Sequence, residues 1–190
     1  MTTERFSSGN SSTILLRSYL SFLGYRPQGW SLGTNNGNVL HTLKQLKADL
    51  LADESSEPVY LVGWSLGGYL AREVARDCPE KVKHVVTLGS PVVGGPKYTS
   101  VAGAFSRRGE SIDEIERLVD ARYDVPLQVP ITAIYSKADG VVTWEACIDH
   151  RSPDVEHIEV FSSHTGLGFS PQAYHILADR LAASAKANGK

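Results

Sequence analysis

The chain has 190 residues, of which 42% are hydrophobic and 21% charged, values close to those of ordinary globular domains. Its 19 basic and 21 acidic residues leave a formal net charge of −2 with no basic run, which argues against binding to nucleic acid or to an anionic membrane surface. The length fits one domain, 1–190, and no apolar run reaches the roughly 18 residues of a membrane span.

Helical and strand-like segments alternate along the chain. Apolar spacing predicts helices over 12–23, 38–51, 66–77, 112–122 and 171–185, and strands over 25–30, 58–62, 82–88, 131–135 and 157–161. This alternation favours right-handed crossovers and a mainly parallel sheet with helices on both faces, an α/β fold. The stretch 92–129 is too short for a large cap domain, but its length suits a small lid.

Two features bear on the cellular compartment. Cys78 and Cys147 are too few for a disulfide framework and predict reduced, partly buried thiols. The amino-terminal residues lack the basic-then-apolar pattern of a secretory signal. We therefore expect a cytoplasmic protein.

The motif with chemical content is Gly63-Trp-Ser-Leu-Gly67, between an apolar strand and an amphipathic helix. A serine on such a strand-to-helix turn presents its hydroxyl, and flanking glycines keep the tight turn free of side chains. The amino end of the helix favours developing negative charge, so the N–H of Leu66 is one natural oxyanion donor. This context predicts Ser65 as a nucleophile; the alternative is a glycine-rich turn with an idle serine.

A serine nucleophile needs a base, and after such a motif the acid and then the histidine follow in chain order, which leaves out His41. His164 lies directly after the strand 157–161, in a loop at the carboxyl ends of parallel strands, where open α/β sheets gather their sites. The remaining histidines suit structural positions better: His84 within a strand, His150 in a polar loop, His157 at the opposite end of its strand and His175 on the last helix. We predict His164 as the base.

The acid is predicted by the same reasoning. Asp139 lies in a short loop directly after the strand 131–135, where its carboxylate can reach an imidazole N–H. A turn-forming Asp-Gly pair is the structural alternative. Asp149 and Asp154 are weaker candidates because neither follows a strand directly.

With these positions marked, the sequence resembles the small esterase/lipase-like branch of the α/β-hydrolase superfamily. The matching stretches are Gly29-Trp-Ser-Leu-Gly-Thr-Asn35, Gly63-Trp-Ser-Leu-Gly-Gly68, Val86-Thr-Leu-Gly-Ser-Pro91, Ala133-Ile-Tyr-Ser-Lys-Ala-Asp-Gly-Val-Val142 and Ser163-His-Thr-Gly-Leu-Gly168. The resemblance implies the α/β-hydrolase fold and hydrolysis of small carboxylic esters through an acyl-enzyme. It also implies no metal and no organic cofactor, and it assigns the same three residues as nucleophile, acid and base.

The amino-terminal region departs from the family pattern. Such hydrolases have an apolar central strand that ends in a glycine-rich oxyanion loop, whereas here only the short polar residues 1–5 precede Phe6-Ser-Ser-Gly-Asn. We expect a truncated strand over residues 2–6, rather than direct pairing of the flanking strands or a strand lent by a second chain, with the N–H of Phe6 or Ser7 as the second oxyanion donor. The alternative is a catalytically weak or silent hydrolase-fold protein that binds a ligand or partner.

Substrate preference is the least determined feature. Six apolar or aromatic side chains near the predicted site are candidates for an acyl pocket, although such residues are also common in cores: Trp30, Trp64, Tyr69, Trp144, Leu167 and Phe169. An apolar acyl group is expected on this basis. Ester, thioester and amide substrates use the same residues, and formation of a homo-oligomer stays open.

Overall fold

The computed structural model describes residues 2–3, 10–29, 39–52, 57–92 and 112–187. In these ranges one sheet is built from β1 (Thr2–Thr3), β2 (Val59–Trp64), β3 (Val82–Leu88), β4 (Ile131–Tyr135) and β5 (Val155–Glu159). The strands lie in the order β1-β2-β3-β4-β5, and every neighbouring pair is parallel. All their carboxyl ends therefore meet at one edge of the sheet.

The helices of the described ranges are α1 (Ile14–Phe22), α2 (Val39–Ala52), α3 (Leu66–Asp77), α4 (Ile112–Tyr123), α5 (His164–Leu167) and α6 (Pro171–Ala187). Short 3₁₀ turns occupy Asn10–Thr13, Pro79–Lys81 and Trp144–Cys147. The five predicted helices are confirmed, with α3 reproduced residue for residue. The one-turn helix α5 was not predicted.

Both faces of the sheet are covered, because successive side chains of a strand point to opposite sides. On one face, Leu61 of β2 packs in a core cluster with residues of α2, α3 and α4, among them Leu50 and Leu70. On the other face, Val62 packs in a second cluster with residues of α1 and α6, among them Leu20. This confirms the α/β fold with helices on both faces.

Two strand predictions need correction. Residues 25–29 form no strand; the N–H of Tyr25 instead donates to the carbonyl of Leu20 at the end of α1, and the Tyr25 ring packs edge-on against Tyr60. The strand predicted over 157–161 is β5, two residues earlier, because Val155 pairs with Ile131 at the start of β4. Phe161 consequently lies beyond the strand and is 92% exposed.

The predicted amino-terminal strand is present in part. Thr2 and Thr3 pair in parallel with Val62 and Gly63 of β2, whereas residues 4–9 lie outside the described ranges. Of the stretch considered as a lid, residues 93–111 also lie outside them.

The two cysteines are unpaired, and both are buried rather than partly buried. Within the described residues, no helix has both the length and the apolar character that a bilayer crossing requires.

Candidate active site

Ser65 occupies the turn between the last residue of β2 and the first residue of α3. It is the one non-glycine residue with positive φ in the described part of the chain, at φ 56° and ψ −128°. Such a conformation costs on the order of 1–3 kcal/mol. The N–H of Ser65 donates to the carbonyl of Leu88 at 2.8 Å, so β3 helps to hold the turn.

Close approach of neighbouring atoms requires glycine at two positions of this turn, Gly63 and Gly68. A Cβ at Gly63 would collide with the backbone of Gly67 and Gly68. A Cβ at Gly68 would collide with the side chain of Ser90, which follows β3. Gly68 lies just outside the five-residue motif; its constraint arises partly from the carbonyl of Gly63 within the motif and partly from Ser90, which is distant in sequence.

Three predicted side chains meet at the carboxyl edge of the sheet. His164 Nε2 is 2.9 Å from Ser65 Oγ, and His164 Nδ1 is 2.7 Å from Asp139 Oδ2. The imidazole and the carboxylate are both buried. Because an ionised carboxylate only accepts, the network assigns the imidazole proton to Nδ1, which leaves Nε2 to accept from the serine hydroxyl.

The Asp139 carboxylate is fixed by bonds to its own loop. Its Oδ1 accepts the N–H groups of Val141 at 2.9 Å and Val142 at 2.7 Å, and Gly140 adopts φ 74°. The Asp-Gly pair thus forms a turn, and the second oxygen of the same carboxylate faces His164. One side chain therefore both closes the Asp-Gly turn and contacts the imidazole, so the turn does not exclude the predicted role as the acid.

His164 is the first residue of α5 rather than part of an irregular loop. Its N–H donates to the Asp139 carbonyl at 2.9 Å, and its own carbonyl accepts from Trp64 Nε1 at 3.1 Å. Ser163 caps the turn by accepting the N–H of Gly166 at 3.1 Å. The backbone of the histidine is therefore held from both sides.

Gly89, directly after β3, is a site residue that sequence reasoning missed. It has φ 54°, and a Cβ there would lie 2.7 Å from Leu167 Cδ1 and 2.8 Å from Asp139 Oδ2. The Asp139–His164 pair packs directly over this glycine, so a side chain would displace the carboxylate. In the sequence, the feature that could have indicated this role is its position directly after a predicted strand, within the family-like stretch 86–91.

Other histidines in the described ranges have different partners. His84 Nε2 is 3.0 Å from Thr132 Oγ1, and His157 Nε2 accepts the N–H of Asp149 at 2.9 Å. Burial lowers the pKa of both imidazoles. His175 contacts the carbonyl of Pro171 on the exposed side of α6.

The candidate pocket residues are not gathered in one place. Tyr69 belongs to the core cluster on one face of the sheet, whereas Trp64 and Leu167 belong to the cluster on the opposite face. Trp144 stacks on Tyr135 beside the Asp139 loop. Phe169, 44% exposed, packs edge-on against Trp64.

The candidate oxyanion donors are only partly described. Leu66 opens α3, so its N–H is one of those that a helix leaves without an intrahelical carbonyl. Phe6, Ser7 and the pocket candidate Trp30 lie outside the described residues. In the part of the chain that the structure covers, no three His, Cys, Asp or Glu side chains converge as a metal site requires.

Comparison with known families gives a match over nearly the whole chain. The alpha/beta hydrolase family profile matches residues 14–188. A comparison with curated proteins gives no significant match.

Solved structures share the fold at low identity. Mouse alpha/beta hydrolase domain-containing protein 10 aligns with a TM-score of 0.66 and 18% identity over 96% of this chain and 88% of that one. A monoacylglycerol lipase from Paleococcus ferrophilus aligns with a TM-score of 0.74 and 13% identity, over 96% and 93% of the two chains. The thioesterase domain from the curacin biosynthetic pathway gives 0.66 and 15%, over 96% and 89%.

Proposed function

Because the chain belongs to the alpha/beta hydrolase family, we propose that it is a serine hydrolase that cleaves carboxylic esters through an acyl-enzyme. The observation that carries the proposal is the continuous hydrogen-bonded series from Asp139 through His164 to Ser65, with separations of 2.7 and 2.9 Å. A nucleophile, a base and a group that orients the base are the three parts that acyl transfer by serine requires.

In the proposed reaction, Ser65 Oγ attacks the ester carbonyl while its proton passes to His164 Nε2. Asp139 stabilises the imidazolium that forms and keeps the ring in position. The C–O bond to the leaving alcohol then breaks, and the Nε2 proton goes to the alcohol oxygen. Water repeats the sequence to release the carboxylic acid and the free serine.

The developing oxyanion is assigned to the amino end of α3. The N–H of Leu66 and the dipole of the 12-residue helix favour negative charge there. We propose the N–H of Phe6 or Ser7 as the second donor, since these residues follow in sequence after Thr3, which pairs with Gly63, two residues before Ser65. Loss of one such donor typically lowers turnover about 10²- to 10³-fold.

The substrate is proposed to be a small ester with an apolar acyl group. Phe169, which is partly exposed and packs on Trp64 beside His164, supports an apolar surface near the reacting atoms. The solved structures with this fold include both a lipase and a thioesterase domain, so thioesters are the first alternative to compare. A cytoplasmic location is proposed from the two unpaired thiols.

The test is hydrolysis of p-nitrophenyl esters of increasing acyl length, with matched thioesters, by the wild type and three variants. Ser65→Ala and His164→Ala are expected to lose at least about 10³-fold in kcat/KM, because one removes the nucleophile and the other removes the base that accepts its proton. His175→Ala is the matched control, since this imidazole lies exposed on α6 and contacts only the carbonyl of Pro171 among the bonds described. Equal losses in all three variants, or retention of more than about a tenth of turnover in Ser65→Ala, would contradict the assignment.

A further inference from the structure

Ser136 is a buried residue that follows directly after β4 and contacts both loops of the candidate site. Its side chain is 1% exposed. Its Oγ accepts the N–H of Ala138 at 3.1 Å, in the loop that carries Asp139, and the N–H of Ser162 at 3.1 Å, in the loop that carries His164. One hydroxyl oxygen therefore joins the acid loop to a residue 26 positions after Ser136 in sequence.

The position of this hydroxyl follows from how the sheet ends. Beyond β5, the N–H of Val160 still donates to the carbonyl of Tyr135, the last residue of β4, at 2.9 Å. In a continuing parallel ladder, the N–H two residues further on would meet the next carbonyl of β4. The chain instead turns away at Ser136 to form the acid loop, and the side-chain oxygen of Ser136 accepts the N–H of Ser162 in place of that carbonyl.

The two N–H groups lie very near the acid and the base in sequence. Ala138 precedes Asp139, and Ser162 is two residues before His164. The Ser136 carbonyl also accepts the N–H of Asp139 at 3.3 Å. Small shifts at either N–H are therefore carried directly to the carboxylate and the imidazole.

We propose that Ser136 is a positioning residue that sets the separation between Asp139 and His164 by holding both of their loops on one oxygen. This inference rests on the proposed serine-hydrolase function. It assigns to Ser136 no contact with substrate and no proton transfer. Its effect on turnover passes through the bond between the Asp139 carboxylate and His164 Nδ1.

Removal of the Ser136 hydroxyl should change the rate and the pH profile of turnover in a predictable direction. Two N–H groups lose their acceptor, and the two loops are free to separate. A longer bond between Asp139 and His164 stabilises the imidazolium less, which lowers both the rate of proton removal from Ser65 and the pH midpoint of kcat/KM. A side chain that only contributed stability would lower the melting temperature and leave that midpoint unchanged.

The experiment compares Ser136→Ala with a matched control, Ser152→Ala. Ser152 Oγ accepts the N–H of Leu127 at 3.1 Å across 25 residues, so the control loses a similar long-range bond in the same β4–β5 connection, away from the acid and the base. Ser136→Cys is a second variant, whose side chain has nearly the same shape as serine but a weakly accepting sulfur. It provides the same comparison if Ser136→Ala fails to fold. Each protein is assayed for p-nitrophenyl acetate hydrolysis against pH and for the low-field proton resonance of His164 Nδ1–H, identified by its absence in His164→Ala.

The expected result is a roughly 10-fold fall in kcat with little change in KM for the Ser136 variant, a midpoint at lower pH, and a lost or shifted Nδ1–H resonance. Ser152→Ala is expected to keep the wild-type midpoint and resonance. A Ser136 variant that matches Ser152→Ala in both readouts overturns the proposal. If the wild type itself has no activity and Ser65 takes up no phosphonate label, the proposed function fails. The Nδ1–H resonance of the Ser136 variant, compared with that of Ser152→Ala, then still shows whether Ser136 positions His164 against Asp139.

Discussion

A buried ion pair connects the helix that begins at Ser65 with the connection between β4 and β5. Arg72 of α3 donates to Asp149, and their side chains are 1% and 0% exposed. The other oxygen of Asp149 accepts the N–H groups of Arg151 at 2.8 Å and Ser152 at 3.1 Å. Asp149→Asn removes the negative charge but keeps an oxygen for these two groups, so Arg72 loses its counter-charge and its acceptor and faces an amide NH₂ instead.

The magnitude follows from the burial of the pair. Breaking a buried pair by removing one partner costs about 3–5 kcal/mol, against a total free energy of unfolding of about 5–15 kcal/mol. For a chain of this size, about 4 kcal/mol corresponds to a fall in melting temperature of roughly 8–16 °C. Thermal and urea unfolding followed by circular dichroism would measure both quantities.

The control is the exposed pair between Arg180 and Glu156, whose side chains are 34% and 49% exposed. Glu156→Gln is expected to cost less than about 1 kcal/mol, because water screens such pairs. The double variant Arg72→Met/Asp149→Asn is expected to recover most of the loss, since no uncompensated charge remains and the amide oxygen still accepts the two N–H groups. The reasoning is refuted if Asp149→Asn costs no more than Glu156→Gln.

Three further predictions concern other buried groups. Gly89→Ala should lower both the melting temperature and, at least about 10-fold, the rate of ester hydrolysis, because the new Cβ meets the Asp139 carboxylate. A wild-type rate would contradict the packing of Asp139 over this glycine. Burial, with the nearby charges of Asp139 and Glu145, raises the pKa of the Cys147 thiol to about 12. A disulfide reagent at neutral pH should therefore modify this thiol only after unfolding, and rapid labelling in the native protein would contradict the prediction. Burial lowers the pKa of His84 and His157, so these imidazoles bind protons at a higher pH in the unfolded chain than in the native protein. The free energy of unfolding should therefore fall as the pH drops below about 6.5, and equal urea midpoints at about pH 5.5 and 7.5 would contradict this.

Local sequence predicts the parts of this molecule that depend on a residue's own neighbours. Ser65 lies between a strand and a helix, and Asp139 and His164 each follow soon after a strand. Parallel strands bring their carboxyl ends together, so these three positions could be expected to meet, and the structure places them within hydrogen-bonding distance.

Features that depend on contacts distant in sequence could not be predicted in this way. The need for glycine at 89 arises from Asp139 and Leu167. Ser136 meets Ser162, and Arg72 meets Asp149, each in another segment of the chain. The predicted strand at 25–30 failed for a related reason, since a short apolar run does not distinguish a strand from a segment that leaves a helix and packs on the sheet.

The most direct test of the central claim is the site at which a fluorophosphonate reacts with the native protein. The account predicts one adduct, on the peptide that contains Ser65, located by mass spectrometry. It also predicts that labelling is lost in Ser65→Ala and slowed strongly in His164→Ala, because the hydroxyl needs Nε2 to accept its proton. A native protein that stays unlabelled, or an adduct that persists in Ser65→Ala, would contradict the claim that Ser65 is an activated nucleophile.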